Sequence, residues 1–298
     1  MALYAFDGTW NADQPEAERD TNVIKFMEAY EGTNFYRSGV GTRLGKVGKV
    51  VGGVSGAGGF TRTEEALHAV VDNFKNGDRV IDVVGFSRGA AIAVHFANQV
   101  NKGHDLEEIG GGQPVRFLGV WDIVASFGIP GDGLNLGYDL KMPVNVERCF
   151  HAMALDERRI MFPVTRLAKP GFFSTDTHLS EIWFRGVHSD VGGGNMNVGL
   201  SSNALTWMYA AAERSGIKIA EASKAFAKAQ RKIETPISRH GFELSHLIHK
   251  IHRQIRNTDI LHESVTDRQG SQHNNPPSVL PRMLDNGTIV AMAMGAHS

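Results

Sequence analysis

The chain has 298 residues, 42% of them hydrophobic and 21% charged, a composition typical of a globular protein rather than a disordered one. Its 31 Lys and Arg residues nearly balance its 32 Asp and Glu residues, and a formal net charge of −1 gives no electrostatic basis for binding nucleic acid or an anionic membrane. The single cysteine, Cys149, excludes an intramolecular disulfide and a zinc site built from several cysteines.

No targeting segment is recognisable in the sequence. Residues 1–10 lack the basic start and the apolar run of a signal peptide. No run of about 18 uncharged apolar residues, the length that a membrane-spanning helix needs, occurs in the chain. We therefore expect a cytoplasmic protein by default, and export by a secretion system that needs no cleaved signal is compatible with the same sequence.

Strand-like and helix-like segments alternate along most of the chain. In chain order we expect a strand at 2–6, a helix at 22–30, a short strand at 34–36, a helix at 61–74, a strand at 79–84, a helix at 90–100, strands at 115–121 and 181–187, and helices at 200–212, 219–233 and 244–255. Seven glycines between 45 and 59 predict a mobile or closely packed loop. Such alternation is typical of a mostly parallel sheet covered by helices on both faces.

A turn motif lies between the strand at 79–84 and the helix at 90–100. Residues 85–89, Gly-Phe-Ser-Arg-Gly, fit the pattern G-x-S-x-G between a strand and a helix. This is the setting of a nucleophile elbow, a sharp turn that exposes Ser87 and leaves no room for side chains two residues away on either side. The alternative interpretation is a tight turn in which Ser87 only caps the following helix.

A nucleophilic serine needs a base to take its proton and a carboxylate to orient that base. Asp122 follows the strand at 115–121 and His188 follows the strand at 181–187, and parallel strands gather their carboxyl ends at one edge of a sheet. We therefore expect Asp122 as the acid and His188 as the base, although Asp122 also suits a helix cap or a turn. His262 is the second-choice base, and Asp190 is a rival acid whose closeness to His188 favours a local turn role.

An oxyanion hole needs backbone N–H groups rather than particular side chains. Arg88, directly after the serine, is expected to supply one. The loop after the first strand is expected to supply the second, from Gly8 or Thr9, whereas the side chain of Asp7 in that loop suits a structural role.

No cofactor or metal site is expected. His246, His249 and His252 share one face of the predicted helix at 244–255, but without an H-E-x-x-H pattern a solvated polar face is the favoured interpretation. The glycine-rich stretches match neither a phosphate-binding loop nor a dinucleotide fingerprint.

Several blocks of the sequence resemble one known family. They are DGTWN at 7–11, GVGT at 39–42, GFSRGA at 85–90, GVWD at 119–122, HAMALDER at 151–158 and WFRGVHSDVGGG at 183–194, with weaker echoes at 261–265 and 276–278. On these blocks, which cover about residues 3–210, the chain resembles the α/β-hydrolase domain of the type VI secretion phospholipase effectors and their uncharacterised relatives. The resemblance implies an esterase with Ser87 as nucleophile, Asp122 as orienting acid and His188 as base, and phospholipid substrates for the secreted members.

These observations combine into one expected architecture and a set of functions. We expect a single α/β-hydrolase-like domain over 1–298, with a core at about 1–215 and a helical, loop-rich extension at 216–298 packed on it. The expected function is a serine hydrolase cleaving carboxylic esters of a lipid or phospholipid. The alternatives are an esterase or thioesterase acting on a small or polymeric non-lipid acyl substrate, and a catalytically silent binding module. An immunity or secretion partner is expected if the protein is an exported effector.

One segment near the expected site has two interpretations. The residues at 123–140 place apolar side chains among glycines, which suits a movable lid over an apolar pocket. An ordinary long connection explains the same stretch.

Overall fold

The computed structural model describes residues 1–8, 20–38, 57–125, 137–160, 162–169, 178–238, 251–270 and 273–290, with the side chains of residues 57 and 58 left aside. The strands of this described part are β1 (Ala2–Phe6), β2 (Thr33–Arg37), β3 (Ile81–Phe86), β4 (Val115–Trp121), β5 (Cys149–Ala154), β6 (Leu179–Phe184), β7 (Ile260–His262), β8 (Arg282–Met283) and β9 (Ile289–Val290). Its helices are α1 (Asn22–Ala29), α2 (Ala57–Lys75), α3 (Arg88–Lys102), α4 (His188–Gly192), α5 (Val198–Arg214) and α6 (Glu221–Gln230).

The strands form one sheet in the order β2-β1-β3-β4-β5-β6-β7-β8-β9. All neighbouring strands from β2 to β8 run parallel, and β9 pairs antiparallel with β8. The carboxyl ends of β3, β4 and β6 therefore lie at the same edge of the sheet. This edge receives the residues that follow each strand, including Ser87, Asp122 and His188.

Both faces of the sheet are buried, which explains why the central strands are apolar throughout. All five residues of β1 are buried, and because side chains alternate along a strand, Tyr4 and Phe6 face one side while Leu3 and Ala5 face the other. The first face packs against α2 and α3. The second packs against α1, α5 and α6. Burying a large apolar side chain contributes about 1.5–3 kcal/mol, so these two layers hold the edge residues in place.

The predicted architecture, a mostly parallel sheet flanked by helices, is confirmed. The predicted elements up to residue 233 are present with ends shifted by a few residues. Helix α2 begins at Ala57, so the last three residues of the predicted glycine loop are helical, and residues 45–56 lie outside the described part. Gly59 lets α2 pack closely, because a Cβ there would lie 1.9 Å from the hydroxyl oxygen of Tyr138.

The region after residue 215 differs most from the sequence-based expectation. Of the helix predicted at 244–255, residues 251–255 are described and are irregular, so that part of the prediction is wrong. The backbone there has tertiary partners instead: Ile251 N donates to Arg158 O at 3.3 Å, and Arg256 N donates to the Asp259 carboxylate at 2.8 Å. The extension at 216–298, expected to be helical and loop-rich, contains one described helix, α6, and also β7, β8 and β9, which were not predicted and which continue the main sheet.

The remaining expectations concern the domain organisation, the lid-like segment and membrane-spanning helices. The single-domain organisation stays a prediction. Most of the lid-like segment, at 126–136, lies outside the described residues. Among the helices of the described part, none is long and apolar enough to cross a bilayer.

Candidate active site

Ser87 occupies a strained turn between β3 and α3. Its backbone has φ 60° and ψ −124°, a conformation that costs a non-glycine residue about 1–3 kcal/mol. A Cβ on Gly85 would lie 2.7 Å from Ala90 Cα, and a Cβ on Gly89 would lie 2.3 Å from Phe6 O. The steric reason for the two glycines of the G-x-S-x-G motif is therefore confirmed, and the turn has the geometry of a nucleophile elbow.

Ser87, His188 and Asp122 form a continuous hydrogen-bonded relay. The Ser87 Oγ lies 2.8 Å from His188 Nε2, and His188 Nδ1 lies 2.6 Å from Asp122 Oδ2. With the ring proton on Nδ1, His188 donates to Asp122 and accepts from the serine hydroxyl. The three residues predicted from strand ends are thus brought together, in the arrangement that activates a serine.

His188 is held by hydrogen bonds and by two aromatic side chains. Its backbone N–H donates to the buried carboxylate of Glu157 at 3.1 Å, and its ring packs against Phe86 and Phe162 at centroid distances of 4.6 and 5.0 Å. Burial lowers the pKa of His188 below its ordinary value, and the Asp122 carboxylate only partly opposes this shift. The imidazole is therefore neutral at neutral pH, which is the form that accepts a proton.

Asp122 is held by a cation that the sequence analysis missed. The two terminal nitrogens of Arg253 donate to Asp122 Oδ1 and Oδ2 at 2.5 and 3.0 Å, and Ala154 N donates to Oδ1 at 2.9 Å. Burial alone would raise the pKa of Asp122, but Arg253 and His188 together hold it well below its usual range. Asp122 is therefore an anion throughout the neutral range.

Arg253 itself is buried, and both of its terminal nitrogens donate hydrogen bonds. Besides Asp122, it donates to Ala154 O at 2.6 Å and to Phe162 O at 2.8 Å, so it ties the acid to the segment that packs on His188. No motif surrounds it in the sequence, and it lies 131 residues from Asp122. A partner at that separation becomes visible only when the chain is folded.

The candidate oxyanion-hole residues lie around the elbow. Arg88 is the first residue of α3, whose leading N–H groups point out from the helix N-terminus. The loop after β1 reaches the elbow, because Gly89 packs against Phe6 O. Gly8 N donates to Asp7 Oδ1 at 2.6 Å, and Thr9 lies outside the described residues. The assignment of Arg88, Gly8 and Thr9 stays a prediction.

The side chain of Asp7 has the structural role that was expected for it. Its second carboxylate oxygen accepts from Thr21 Oγ1 at 2.9 Å and from Tyr36 OH at 3.1 Å. These bonds tie the loop after β1 to the start of α1 and to β2. Asp7 therefore shapes the loop that approaches the elbow.

Comparison with known families gives the affiliation of the chain. The model of the type VI secretion system phospholipase effector Tle1-like catalytic domain matches residues 3–104 and 99–211, more than half of the chain. The chain belongs to this family. The resemblance read from the sequence blocks is thereby confirmed, and a search of curated proteins found no significant match.

Several solved structures are similar to this Tle1-like chain. One is that of an uncharacterized protein from Pseudomonas aeruginosa, which is 20% identical and has a TM-score of 0.51; the match covers 77% of this chain and 48% of that chain. The Tle1 effector bound to the VgrG spike of the type 6 secretion system has 21% identity, 64% and 50% coverage and a TM-score of 0.45. The acetyl xylan esterase core domain from Trichoderma reesei has 17% identity, 77% and 98% coverage and a TM-score of 0.29. The chain thus spans about half the length of the first two, and the first likeness concerns the fold alone.

The rival residues take other roles in this Tle1-like fold. The ring nitrogens of His262 lie near Ser264 Oγ at 2.8 Å and Asp285 Oδ1 at 3.0 Å, not near Ser87. Asp190 accepts from Val187 N at 3.1 Å and from Ser238 N at 2.9 Å, which is the local role expected for it. The structure therefore places His188, and not His262, beside the elbow.

One group of potential metal ligands occurs in the described part of the chain. It consists of His262, Glu263 and Asp285, whose ligand atoms lie within 4.8 Å of one another. Arg231 forms an ion pair with Asp285, so a cation already balances this carboxylate. Of the three histidines weighed as ligands, His246 and His249 lie outside the described residues, and His252 lines a surface cleft together with Phe162.

Proposed function

We propose that this chain is a serine hydrolase that cleaves carboxylic esters through an acyl-enzyme. The single observation that carries the proposal is the relay Ser87–His188–Asp122 on an elbow with φ 60° at Ser87. The strained backbone at Ser87 is a cost that a merely structural turn would avoid. Membership of a family described as phospholipase effectors supports the same reaction class.

The reaction follows from the position of each group. His188 Nε2 takes the proton of Ser87 as Oγ attacks the ester carbonyl, and Asp122 stabilises the imidazolium that forms. Backbone N–H groups, with Arg88 and Gly8 or Thr9 as the candidates, stabilise the oxyanion. The C–O bond then breaks, and His188 returns its proton to the leaving alcohol. A water molecule attacks the acyl-enzyme with His188 as base, and the acid and free Ser87 are released.

We propose a lipid or phospholipid ester as the substrate class, since the family description names a phospholipase. A small or polymeric acyl ester or thioester would use the same relay. A silent binding module is the alternative of a different class, since a fold alone does not imply activity. A Tle1 effector has been solved on a VgrG spike, and we propose a secretion partner by analogy with that protein. An immunity partner stays a prediction.

Hydrolysis of p-nitrophenyl butyrate and p-nitrophenyl palmitate tests this proposal. The wild type is compared with Ser87→Ala and with the matched control Ser264→Ala, which removes another buried serine hydroxyl that contacts a histidine. We expect turnover by the wild type and the control and none by Ser87→Ala. Faster turnover of the palmitate ester supports a lipid substrate, and faster turnover of the butyrate ester favours a small acyl group.

A fluorophosphonate probe separates an inactive protein from one that does not accept these esters. Labelling that depends on Ser87 shows a working nucleophile even without p-nitrophenyl ester turnover. Absence of both labelling and turnover in folded wild-type protein would leave the silent module as the function.

A further inference from the structure

A cleft of about 460 Å³ opens beside the candidate triad. Three of its lining residues also surround the relay: Phe162 packs on the ring of His188, Glu157 accepts from His188 N, and Arg253 binds Asp122. A molecule in this cleft is therefore separated from the base and the acid by one layer of side chains.

Five arginines line the cleft, and three of them already have carboxylate partners. Arg159 binds both oxygens of Glu157 at 2.9 and 2.8 Å. Arg166 binds Glu181 at 2.9 Å and Asp259 at 2.7 Å, and Arg253 binds Asp122. These three guanidinium groups are balanced by buried anions.

The remaining two arginines, Arg158 and Arg256, have no carboxylate partner for their side chains among the described residues. The Nε–H group of Arg158 is buried and donates a hydrogen bond to no atom of the described part. The guanidinium of Arg256 donates to a neutral group, Ala168 O, at 3.1 Å. A buried guanidinium nitrogen without an acceptor is costly, which is a reason to expect an anion in the cleft when it is occupied.

The rest of the lining is apolar. Phe162, Val164 and Ile255 contribute to the wall, and two isoleucines at the cleft are exposed, Ile160 at 38% and Ile251 at 62%. The cleft therefore combines unbalanced guanidinium groups with apolar surface. This chemistry fits a molecule that carries both a phosphate group and a hydrocarbon part, since guanidinium groups bind phosphate oxygens in pairs of parallel hydrogen bonds.

We propose that Arg158 and Arg256 form a phosphate-binding subsite, which holds the phosphate of the ester substrate in this cleft. The substrate assignment rests on the proposed function, whereas phosphate binding does not. Two sources of phosphate share this chemistry, the head group of a lipid substrate and free phosphate, and the two arms of the experiment distinguish them.

The binding arm titrates inorganic phosphate into Ser87→Ala protein and follows the phosphorus-31 resonance. It compares the parent with Arg158→Gln plus Arg256→Gln and with Arg79→Gln, a matched control at an exposed arginine before β3. We expect the double variant to bind phosphate about tenfold or more weakly, as for the loss of charge-assisted hydrogen bonds, and the control to bind like the parent. Arg158→Lys, which keeps the charge, should fall between them.

The kinetic arm uses the wild-type Ser87 background and two soluble esters that differ only in the head group. They are dihexanoylphosphatidylglycerol and dihexanoylglycerol, both below the concentration at which they aggregate. We expect the ratio of kcat/KM for the phospholipid to kcat/KM for the diglyceride to fall about tenfold in the double variant and to stay unchanged in Arg79→Gln. Diglyceride turnover and the unfolding temperature report whether each variant is folded.

Each outcome decides the proposal. Loss of both phosphate binding and the kinetic ratio supports a substrate subsite. Loss of binding with an unchanged ratio supports a phosphate site for the free anion and overturns the substrate assignment. Unchanged binding in the folded double variant overturns the subsite altogether. Absence of ester turnover in the wild type would count against the proposed function, while the binding arm would still test the site.

Discussion

The same four residue types, Ser, His, Asp and Arg, form two sets whose histidines lie at the neighbouring strands β6 and β7. After β6, His188 contacts Ser87 and Asp122, and Arg253 binds the aspartate. On β7, His262 contacts Ser264 and Asp285, and Arg231 pairs with that aspartate. Both histidines are buried, and burial lowers the pKa of both. Residue types and hydrogen-bond distances therefore do not distinguish the two sets.

The serines distinguish them. Ser264 lies two residues from His262, and both its hydroxyl and its backbone N–H contact Nδ1 of that histidine, so the contact is local. Ser87 lies 101 residues from His188, on an elbow with positive φ, at the N-terminus of α3. Of these two serines, Ser87 is the one that precedes a helix N-terminus, where the candidate oxyanion donors lie. The comparison teaches that backbone strain and the position at a strand end, more than the side chains, mark a candidate nucleophile.

The aspartates differ as well. The side chain of Asp122 is fully buried, whereas that of Asp285 is 27% exposed. Solvent screens the second set, so its ion pairs contribute less to the local field than those around Asp122. Substituting corresponding members of the two sets separates the candidate catalytic set from the structural one.

The largest expected difference is between the histidines. His188→Ala should lower kcat/KM for a p-nitrophenyl ester by about 10⁴-fold or more, because triad members act as a unit. His262→Ala should retain activity in the folded protein, since its ring contacts neither Ser87 nor Asp122. Steady-state kinetics of both variants, with circular dichroism as the folding control, measure this. A severe loss in folded His262→Ala and a mild one in His188→Ala would reverse the base assignment.

The next difference concerns the arginines. Arg253→Met removes the cation on Asp122, so the carboxylate acts more strongly on His188 and raises its pKa. The reaction needs a neutral imidazole, so the acid limb of the pH profile of kcat/KM should move to higher pH. At neutral pH, kcat/KM should fall about tenfold to a hundredfold. Arg231→Met is the matched control and should leave the pH profile unchanged.

Arg253→Lys sharpens this test. It keeps the charge but loses the two-pronged contact, so its acid limb should stay near that of the wild type while its rate is reduced. An acid limb that does not move in folded Arg253→Met would show that Arg253 only fills space.

A smaller shift is expected in the pH profile of the wild type, relative to that of an ordinary histidine. Burial lowers the pKa of His188, so the acid limb of kcat/KM should lie below the ordinary histidine value of about 6.5. Activity should therefore persist as the pH falls through that value and disappear only at lower pH. A profile of kcat/KM between pH 4 and pH 8, in buffers of constant ionic strength, measures the limb. A limb clearly above 6.5 would mean that the carboxylate outweighs burial.

The smallest effect is expected for Ser264→Ala. It removes one buried hydrogen bond to His262 and should lower the free energy of unfolding by about 1 kcal/mol without changing kcat/KM. Urea unfolding followed by fluorescence measures the first quantity. Loss of ester turnover in a folded Ser264→Ala protein would contradict a purely structural role for the second set.

Much of the first two thirds of the fold was predictable because its signals are local. The apolar runs of β1, β3 and β4 and the strand-turn-helix context of Ser87 are readable within a few residues. The strand ends also indicated that Asp122 and His188 lie at one edge of the sheet, since parallel strands share an edge. Strand β5 was missed, because Cys149–Ala154 carries a histidine and two alanines instead of the usual β-branched residues.

The sequence by itself determined the parallel sheet, the elbow and the strand ends that carry the candidate residues, because local sterics and hydrophobic periodicity specify each of them. Only the tertiary structure decided which histidine faces Ser87, that Arg253 binds Asp122, and that β7, β8 and β9 extend the sheet. These depend on contacts between residues far apart in the chain. A short strand or a single arginine has no periodicity in the sequence. Its position depends on the neighbouring strand with which it pairs, or on the buried carboxylate that it binds.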